Sequence, residues 1–387
     1  MKKSAEVVII GGGCMGASVA FHLARRGVKD VVLVEREPWL AMGSTGRNAG
    51  GFRHQFSSEL NVKLSIESIR LMRNFKEAVG YEIDFHPHGY LFLLSNENDV
   101  AAFRQNIEMQ RRLGIEVELI TPDDAKKLAR GLKTDGLMAA SFCPQDGIAD
   151  PNGVTLGFAK AAQAAGVDIV KETVVTGIKT TNHKVTEVET TQGTIATPRV
   201  VNAAGPLARE IGQMVGLDIP VLPFRRHIFI TEPLGERAHL APTSRIMVID
   251  FATTFYFHRE GAGVLFGMSD RDEPTSFNLS VSWEFLEKVY ASAAGRLPVL
   301  TDLGIAHAWA GLYEVSPDGN PIIDEAETVK GFYMINGFSG HGFQHSPAAG
   351  RLLADLMIDG VVKDLDISPF SFTRFANGES QGELNVV

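Results

Sequence analysis

The chain has 387 residues, 44% of them apolar and 21% charged, which is room for two ordinary domains with a large core and excludes a disordered composition. A formal net charge of −9 argues against general nucleic-acid binding, because an acidic chain repels phosphate backbones. Two cysteines, Cys14 and Cys143, exclude a disulfide framework and suit a reducing, cytoplasmic compartment, and no apolar run approaches the roughly 18 residues of a membrane span.

Val7 to Ile10 is a short β-branched run that reads as a strand buried on both faces. It ends in three glycines, so it is too short for a secretion signal, whose apolar region needs at least about 7 residues. Ala17 to Arg26 reads as a helix closed by Gly27, and Val31 to Val34 as a second buried strand ending at Glu35. Together these form a complete βαβ unit. Helices follow over Glu59 to Val79 and Val100 to Leu113, with a strand at Tyr90 to Leu94 between them. Thr121-Pro122-Asp123-Asp124 is a capping signal. A helix over Gly153 to Ala165, a small antiparallel ribbon over Val174 to Thr197 and a strand at Val200-Val201 come next. From about 220 to 325 the pattern is strand-like, broken by Pro and Gly, with one helix near Trp283 to Ala293. Phe332 to Ile335 reads as a last buried strand and Pro347 to Ile358 as a last helix, while the polar tail from Ala376 onward is expected to fray. The separated buried strands predict one parallel sheet. The expected division is 1–84, 145–215 and 325–387 for a nucleotide-binding domain, and 85–144 and 216–324 for a second, mainly antiparallel one.

Three glycine clusters carry the chemistry. In Gly11-x-Gly13-Cys14-Met15-Gly16 the glycines permit a tight turn, bring backbone N–H groups against a pyrophosphate and let helix pack on strand. Glu35, 19 residues after Gly16, stands where a carboxylate takes the ribose hydroxyls of an adenosine. A dinucleotide is the ligand these parts predict. Gly43-Ser44-Thr45-Gly46-Arg47-Asn48-Ala49-Gly50-Gly51 offers hydroxyls, an amide, a guanidinium and many backbone N–H groups, although alone it reads as a surface loop. Gly337-Phe338-Ser339-Gly340-His341-Gly342 precedes Ser346-Pro347, where a helix start directs its positive end at the loop.

With these motifs, and with Asn202-Ala203-Ala204-Gly205 and the segment Trp309 to Asp324, nearly the whole chain resembles the D-amino-acid oxidase superfamily of FAD proteins. The strongest likeness is to the β subunits of heteromeric sarcosine oxidases and archaeal L-proline dehydrogenases. That resemblance implies a Rossmann-like FAD domain assembled from separated segments, plus an α+β substrate domain with a mainly antiparallel sheet. It implies that Gly11, Gly13, Gly16, Glu35 and Arg36 hold the ADP half of FAD, with Cys14 and Met15 in the same loop. It places Gly43, Ser44, Thr45, Arg47, Asn48, Ala49, Gly50 and Gly51 beside pyrophosphate and isoalloxazine, and Val175 at adenine. Ala203, Ala204, Gly205, Gly311, Gly337, Ser339, Gly340, His341, Gly342 and Phe343 complete the cofactor set. Arg53 matches the arginine that takes the substrate carboxylate, and Tyr256 and Tyr313 match substrate-pocket tyrosines. Each of these three also has a plain reading, as a loop arginine or as packed core tyrosines.

Three departures from the family pattern matter. The cysteine that links flavin covalently in monomeric sarcosine oxidases falls on Gly311, so non-covalent FAD is expected there; a histidyl link stays open. The lysine assisting oxygen falls on Leu265, which favours electron transfer to a protein or quinone acceptor over oxygen. The lysine that helps hold the carboxylate falls on Gln344. The resulting expectation is an FAD-dependent enzyme oxidising the C–N bond of a small amine or amino acid such as sarcosine, proline or glycine, by hydride transfer to the flavin. The alternative is a flavoprotein scaffold or assembly subunit that needs partner chains. An NAD-dependent dehydrogenase would explain only the N-terminal motif. His54, His86, His88, His341 and His345 lack metal-ligand spacing, so no metal is expected.

Overall fold

The computed structural model describes residues 2–386. Its first sheet has six strands in the order Ile322–Glu325, Phe332–Asn336, Val200–Asn202, Val7–Ile10, Val31–Val34 and Asp168–Val170. All pairings are parallel except that of the edge strand Ile322–Glu325. The central strands are apolar without alternation because both faces are covered. Helices Cys14–Arg25, Pro151–Ala164 and Gly342–Asp359 pack on one face through Val19, Leu23, Phe158, Leu352 and Leu353. The antiparallel ribbon Val175–Thr181, Lys184–Thr190 and Gly193–Ala196 covers the other, setting Val185, Val188 and Ile195 against Val8, Val32 and Val200. Fully burying each such side chain contributes about 1.5–3 kcal/mol.

The second sheet has eight strands, in the order Ile305–Val315, Leu222–Thr231, Gly263–Met268, Tyr256–Glu260, Met247–Asp250, Tyr90–Leu94, Ala139–Cys143 and Glu118–Ile120. Only Met247–Asp250 against Tyr90–Leu94 is parallel. Side chains alternate across the strands. Phe229, Phe257 and Phe266 face the core beneath helix Trp283–Arg296, while Tyr90, Met247, Ile249 and Tyr256 face the other way, toward the cleft between the sheets.

Two local expectations are corrected. The last helix begins at Gly342, not Pro347, so Pro347 lies inside it. Proline leaves the carbonyl four residues earlier without an intrahelical donor, and here the Ser346 hydroxyl donates to that carbonyl, Phe343 O, at 2.8 Å. The tail is docked rather than frayed, with Glu383 6% and Asn385 2% exposed. The Glu383 carboxylate accepts from the N–H groups of Ser57 (2.7 Å) and Ser58 (3.1 Å), from both serine hydroxyls and from Asn61 Nδ2 (3.0 Å). Removing one acceptor strands several buried donors, so Glu383→Ala is expected to lower stability by about 2 kcal/mol. Urea midpoints of wild type and variant check this.

Candidate active site

At one end of the cleft, the first loop follows Val7–Ile10 directly. Gly11 has φ +110°, and a Cβ there would lie 2.4 Å from Ala203 O; a Cβ at Gly16 would lie 1.9 Å from Gly11 O. Only glycines permit this approach of strand end, helix start and the Ala203-Ala204-Gly205 segment. Glu35 accepts from the N–H of Gly12 at 2.7 Å and of Glu37 at 2.8 Å. About half of its lone-pair sites remain free. The cavity here is about 400 Å³. Gly11, Gly13, Glu35, Arg36 and Val175 line it, with Ala203, Ala204 and Gly205 opposite.

The middle loop is built, not slack. Ser44 Oγ donates to Leu312 O at 2.6 Å, Arg47 Nη1 to Ala310 O at 3.0 Å and Trp309 Nε1 to Arg47 O at 3.0 Å, which ties the loop to strand Ile305–Val315. Within it, Asn48 Nδ2 donates to Thr45 O and Asn48 Oδ1 accepts from Gly50 N–H. Thr45 Oγ1 accepts from Cys14 N–H at 3.1 Å, joining the first loop to the second. Burial pushes the Cys14 thiol up to about 11, so it is a packing group and not a nucleophile.

Ser44, Thr45, Arg47 and Leu312 line both the first cavity and a second one of about 140 Å³, so the two join end to end. Gly43 lines the first; Cys14, Asn48, Ala49, Gly51 and Gly311 line the second. Ser339, Gly340, His341, Gly342 and Phe343 form its wall at the start of the last helix. Gly340 has φ +98°, and a Cβ there would fall 2.3 Å from the Tyr313 ring. Four of the expected cofactor residues lie behind the lining. Gly16 packs under Gly11, Met15 is in the core, Gly50 makes a turn at φ +75°, and Gly337 sits against Ser316 and Val221.

All four expected substrate residues, Arg53, Tyr256, Tyr313 and Gln344, line this second cavity. Arg53 Nη1 donates to Gln55 O at 2.6 Å and Nη2 to Asn385 O at 2.5 Å, and the guanidinium carbon stands 3.9 Å from the Phe56 ring centroid. Among the described residues it has no acid within salt-bridge distance. Its nearest carboxylates are engaged elsewhere, Glu383 by the serines and Asp146 by His54 Nδ1 (2.6 Å), His54 N–H (2.9 Å) and Gln55 Nε2 (3.1 Å). Burial lowers the guanidinium pKa, against the pull of those groups. Gln344 Oε1 accepts from Arg53 N–H at 2.6 Å, while its Nε2 is buried without a partner. Burial raises the pKa values of Tyr90, Tyr256 and Tyr313, which stay neutral O–H donors. His341 and His345 touch through their Nδ1 atoms at 3.2 Å, and burial holds both neutral, His341 down to about 4. They stand one turn apart, His341 capping the start of helix Gly342–Asp359 and His345 inside it. His54, Cys143 and Asp146 bring ligand-type atoms within 4.8 Å of one another, but the hydrogen bonds already on Asp146 make this a structural hub.

Sequence reasoning misses Tyr90, Arg226, Glu314 and Val386, which also line the second cavity. Tyr90 and Arg226 sit in strands whose inward residues alternate, a signal available in the sequence once the cleft-facing side is known. Glu314 and Val386 carried no such signal.

An elongated cleft with a glycine cradle and acidic ribose site at one end and a lined ring slot at the other defines a dinucleotide-dependent oxidoreductase. A family model described as FAD dependent oxidoreductase matches residues 6–356, and the chain belongs to that D-amino-acid oxidase-type family of flavoproteins, whose cofactor is FAD. The chain is 33% identical to FAD-dependent oxidoreductase domain-containing protein 1 of Xenopus laevis, over 99% of this chain and 85% of that one. It is 32% identical to mitochondrial dimethylglycine dehydrogenase of Rattus norvegicus, over 93% of this chain but only 43% of that one. Its fold matches the crystal structure of L-proline dehydrogenase from P. horikoshii with a TM-score of 0.91 and 34% identity, covering 98% and 100% of the two chains. No helix among the described residues is long and apolar enough to cross a membrane.

Proposed function

We propose that this chain oxidises the C–N bond of a small amine or amino acid whose carboxylate binds Arg53. The observation that carries this reading is the buried guanidinium at the ring end of the cleft, held by two carbonyls and a phenyl ring but by no acid. Burying a charge is costly unless a partner arrives, and a planar fork with N–H groups to spare suits a carboxylate. The neutral phenols of Tyr90, Tyr256 and Tyr313 offer O–H groups to orient the rest of the substrate. Bound FAD supplies a hydride acceptor, and the resulting imine hydrolyses in water. No general base is needed when the substrate binds as free amine. The glycine loop, Glu35 and the Ser44–Gly51 loop would hold the cofactor without a covalent link at Gly311.

Anaerobic mixing with sarcosine, proline, glycine and N-methylated amino acids tests this reading, with bleaching of the flavin band near about 450 nm expected. No bleaching by any of them would favour the alternative of a scaffold subunit that needs a partner chain. Leu265, where the family resemblance puts an oxygen-assisting lysine, is buried on the strand Gly263–Met268 and does not line the second cavity, so comparing turnover with oxygen and with a dye acceptor decides between oxidase and dehydrogenase.

The division into a nucleotide domain (1–84, 145–215, from 325 on) and a substrate domain (85–144, 216–324) fits the two sheets best with its last boundary moved to 321, because Ile322–Glu325 is a strand of the first sheet. With both cysteines free, a reducing cytoplasm is the compartment we propose.

A further inference from the structure

We infer that Arg226 is a second anion-binding residue of the substrate pocket, and that the substrate is an amine carrying two anionic groups, such as an N-substituted amino dicarboxylate. This rests on the reading of Arg53 as the first carboxylate site. Arg226 stands on strand Leu222–Thr231 directly across from Gly311, and lines the same cavity as Arg53. Its guanidinium carbon lies 5.2 Å from the Tyr313 ring centroid.

The charge is unmatched. Nη1 donates to the carbonyls of Arg225 at 2.9 Å and Asp270 at 3.4 Å, and Nε is buried with no partner. No carboxylate of the described residues lies within salt-bridge distance of it. The acids nearby belong to other cations. Glu273 is held in a two-pronged pair by Arg225 at 2.9 and 3.2 Å, and Asp270 lies 3.6 Å from Lys288. Glu314 is also on the cavity wall, but its neighbours are the backbone N–H groups of Gly337 and Phe338. Tyr313 lines the same cavity and is near enough to feel the charge of both Arg53 and Arg226.

One cavity thus holds two guanidinium groups with spare donors, neutral phenols and no carboxylate bonded to either. A monocarboxylate on Arg53 would leave the half-buried Arg226 with only its two carbonyl partners and its buried Nε with none, and a polar group buried without a partner is disfavoured. A second carboxylate on the substrate matches it with the same fork geometry that Arg53 offers the first.

The test uses the FAD-loaded enzyme and two non-oxidisable probes, glutarate and butyrate, titrated by flavin difference spectra. Glutarate should bind at least about tenfold tighter than butyrate, and Arg226→Gln should bring the ratio to about one with FAD content unchanged. Arg226→Lys should restore part of it. Equal affinities in the wild type overturn the inference even where no variant folds. So does a ratio that survives Arg226→Gln. Anaerobic bleaching separates this from the parent reading. If N-methylalanine bleaches the flavin as fast as N-methylglutamate, the second site falls and Arg53 stands; if neither they nor the amines above bleach it, the amine-oxidising reading falls as well.

Discussion

Arg53→Met is expected to leave the protein yellow and to cut kcat/KM for an amino-acid substrate by at least about 100-fold, carried mostly by KM. Two N–H groups of Arg53 are spent on Gln55 O and Asn385 O, and the Phe56 face fixes the plane of the fork. The remaining donors are therefore oriented before substrate arrives, and little freedom is lost on binding. Truncating one partner of a buried, hydrogen-bonded charge pair costs about 2–5 kcal/mol, and each 1.4 kcal/mol is a factor of ten. Methionine keeps the length and the apolar contact with Phe56 but none of the donors. Arg53→Lys keeps the charge without the fork, and is expected to recover only part of the loss. Steady-state kinetics together with the ratio of flavin to protein absorbance check both variants. An unchanged KM would remove Arg53 from the site, and loss of flavin would make it a cofactor residue instead.

What could be read from the sequence divides by the range of the interaction behind it. The first loop was legible because strand, glycines, helix and Glu35 lie within 35 residues, and the reason for each glycine is local backbone geometry. The six-stranded sheet was legible because each of its inner strands is a continuous apolar run, the mark of burial on both faces. The docked tail was not, because Glu383 and Asn385 are ordinary polar residues whose burial depends on Ser57, Ser58 and Arg53, more than 300 positions away. The start of the last helix is not legible because Pro347 is a strong start signal, and the Ser346 hydroxyl that excuses it acts only in three dimensions. Arg226 is hidden in the sequence for a similar reason. In Phe224-Arg225-Arg226-His227 two adjacent arginines look alike, yet strand alternation sends Arg225 to Glu273 and Arg226 into the cavity.

Glu314 links this geometry to pH. Its carboxyl lies on the cavity wall one residue from Tyr313, and its Oε2 is buried without a partner. Burial pushes its pKa from 4.5 up to about 7, partly offset by the backbone N–H groups of Gly337 and Phe338. An unfolded glutamate ionises near 4.5, so between that value and about 7 the unfolded chain has lost a proton that the folded apoprotein keeps. Stability from this group is therefore complete below 4.5, falls as pH rises toward about 7, and is flat above. At about 1.4 kcal/mol per unit, the loss is on the order of 3 kcal/mol. Glu314→Gln keeps the shape and an acceptor oxygen but cannot ionise. In the apoprotein, the stability of the variant relative to wild type is expected to rise by about 3 kcal/mol between about pH 4.5 and about pH 8. Urea midpoints of the two proteins, taken at matched pH values across that window, measure it. Parallel pH profiles would mean that the carboxyl ionises as freely in the cleft as in water.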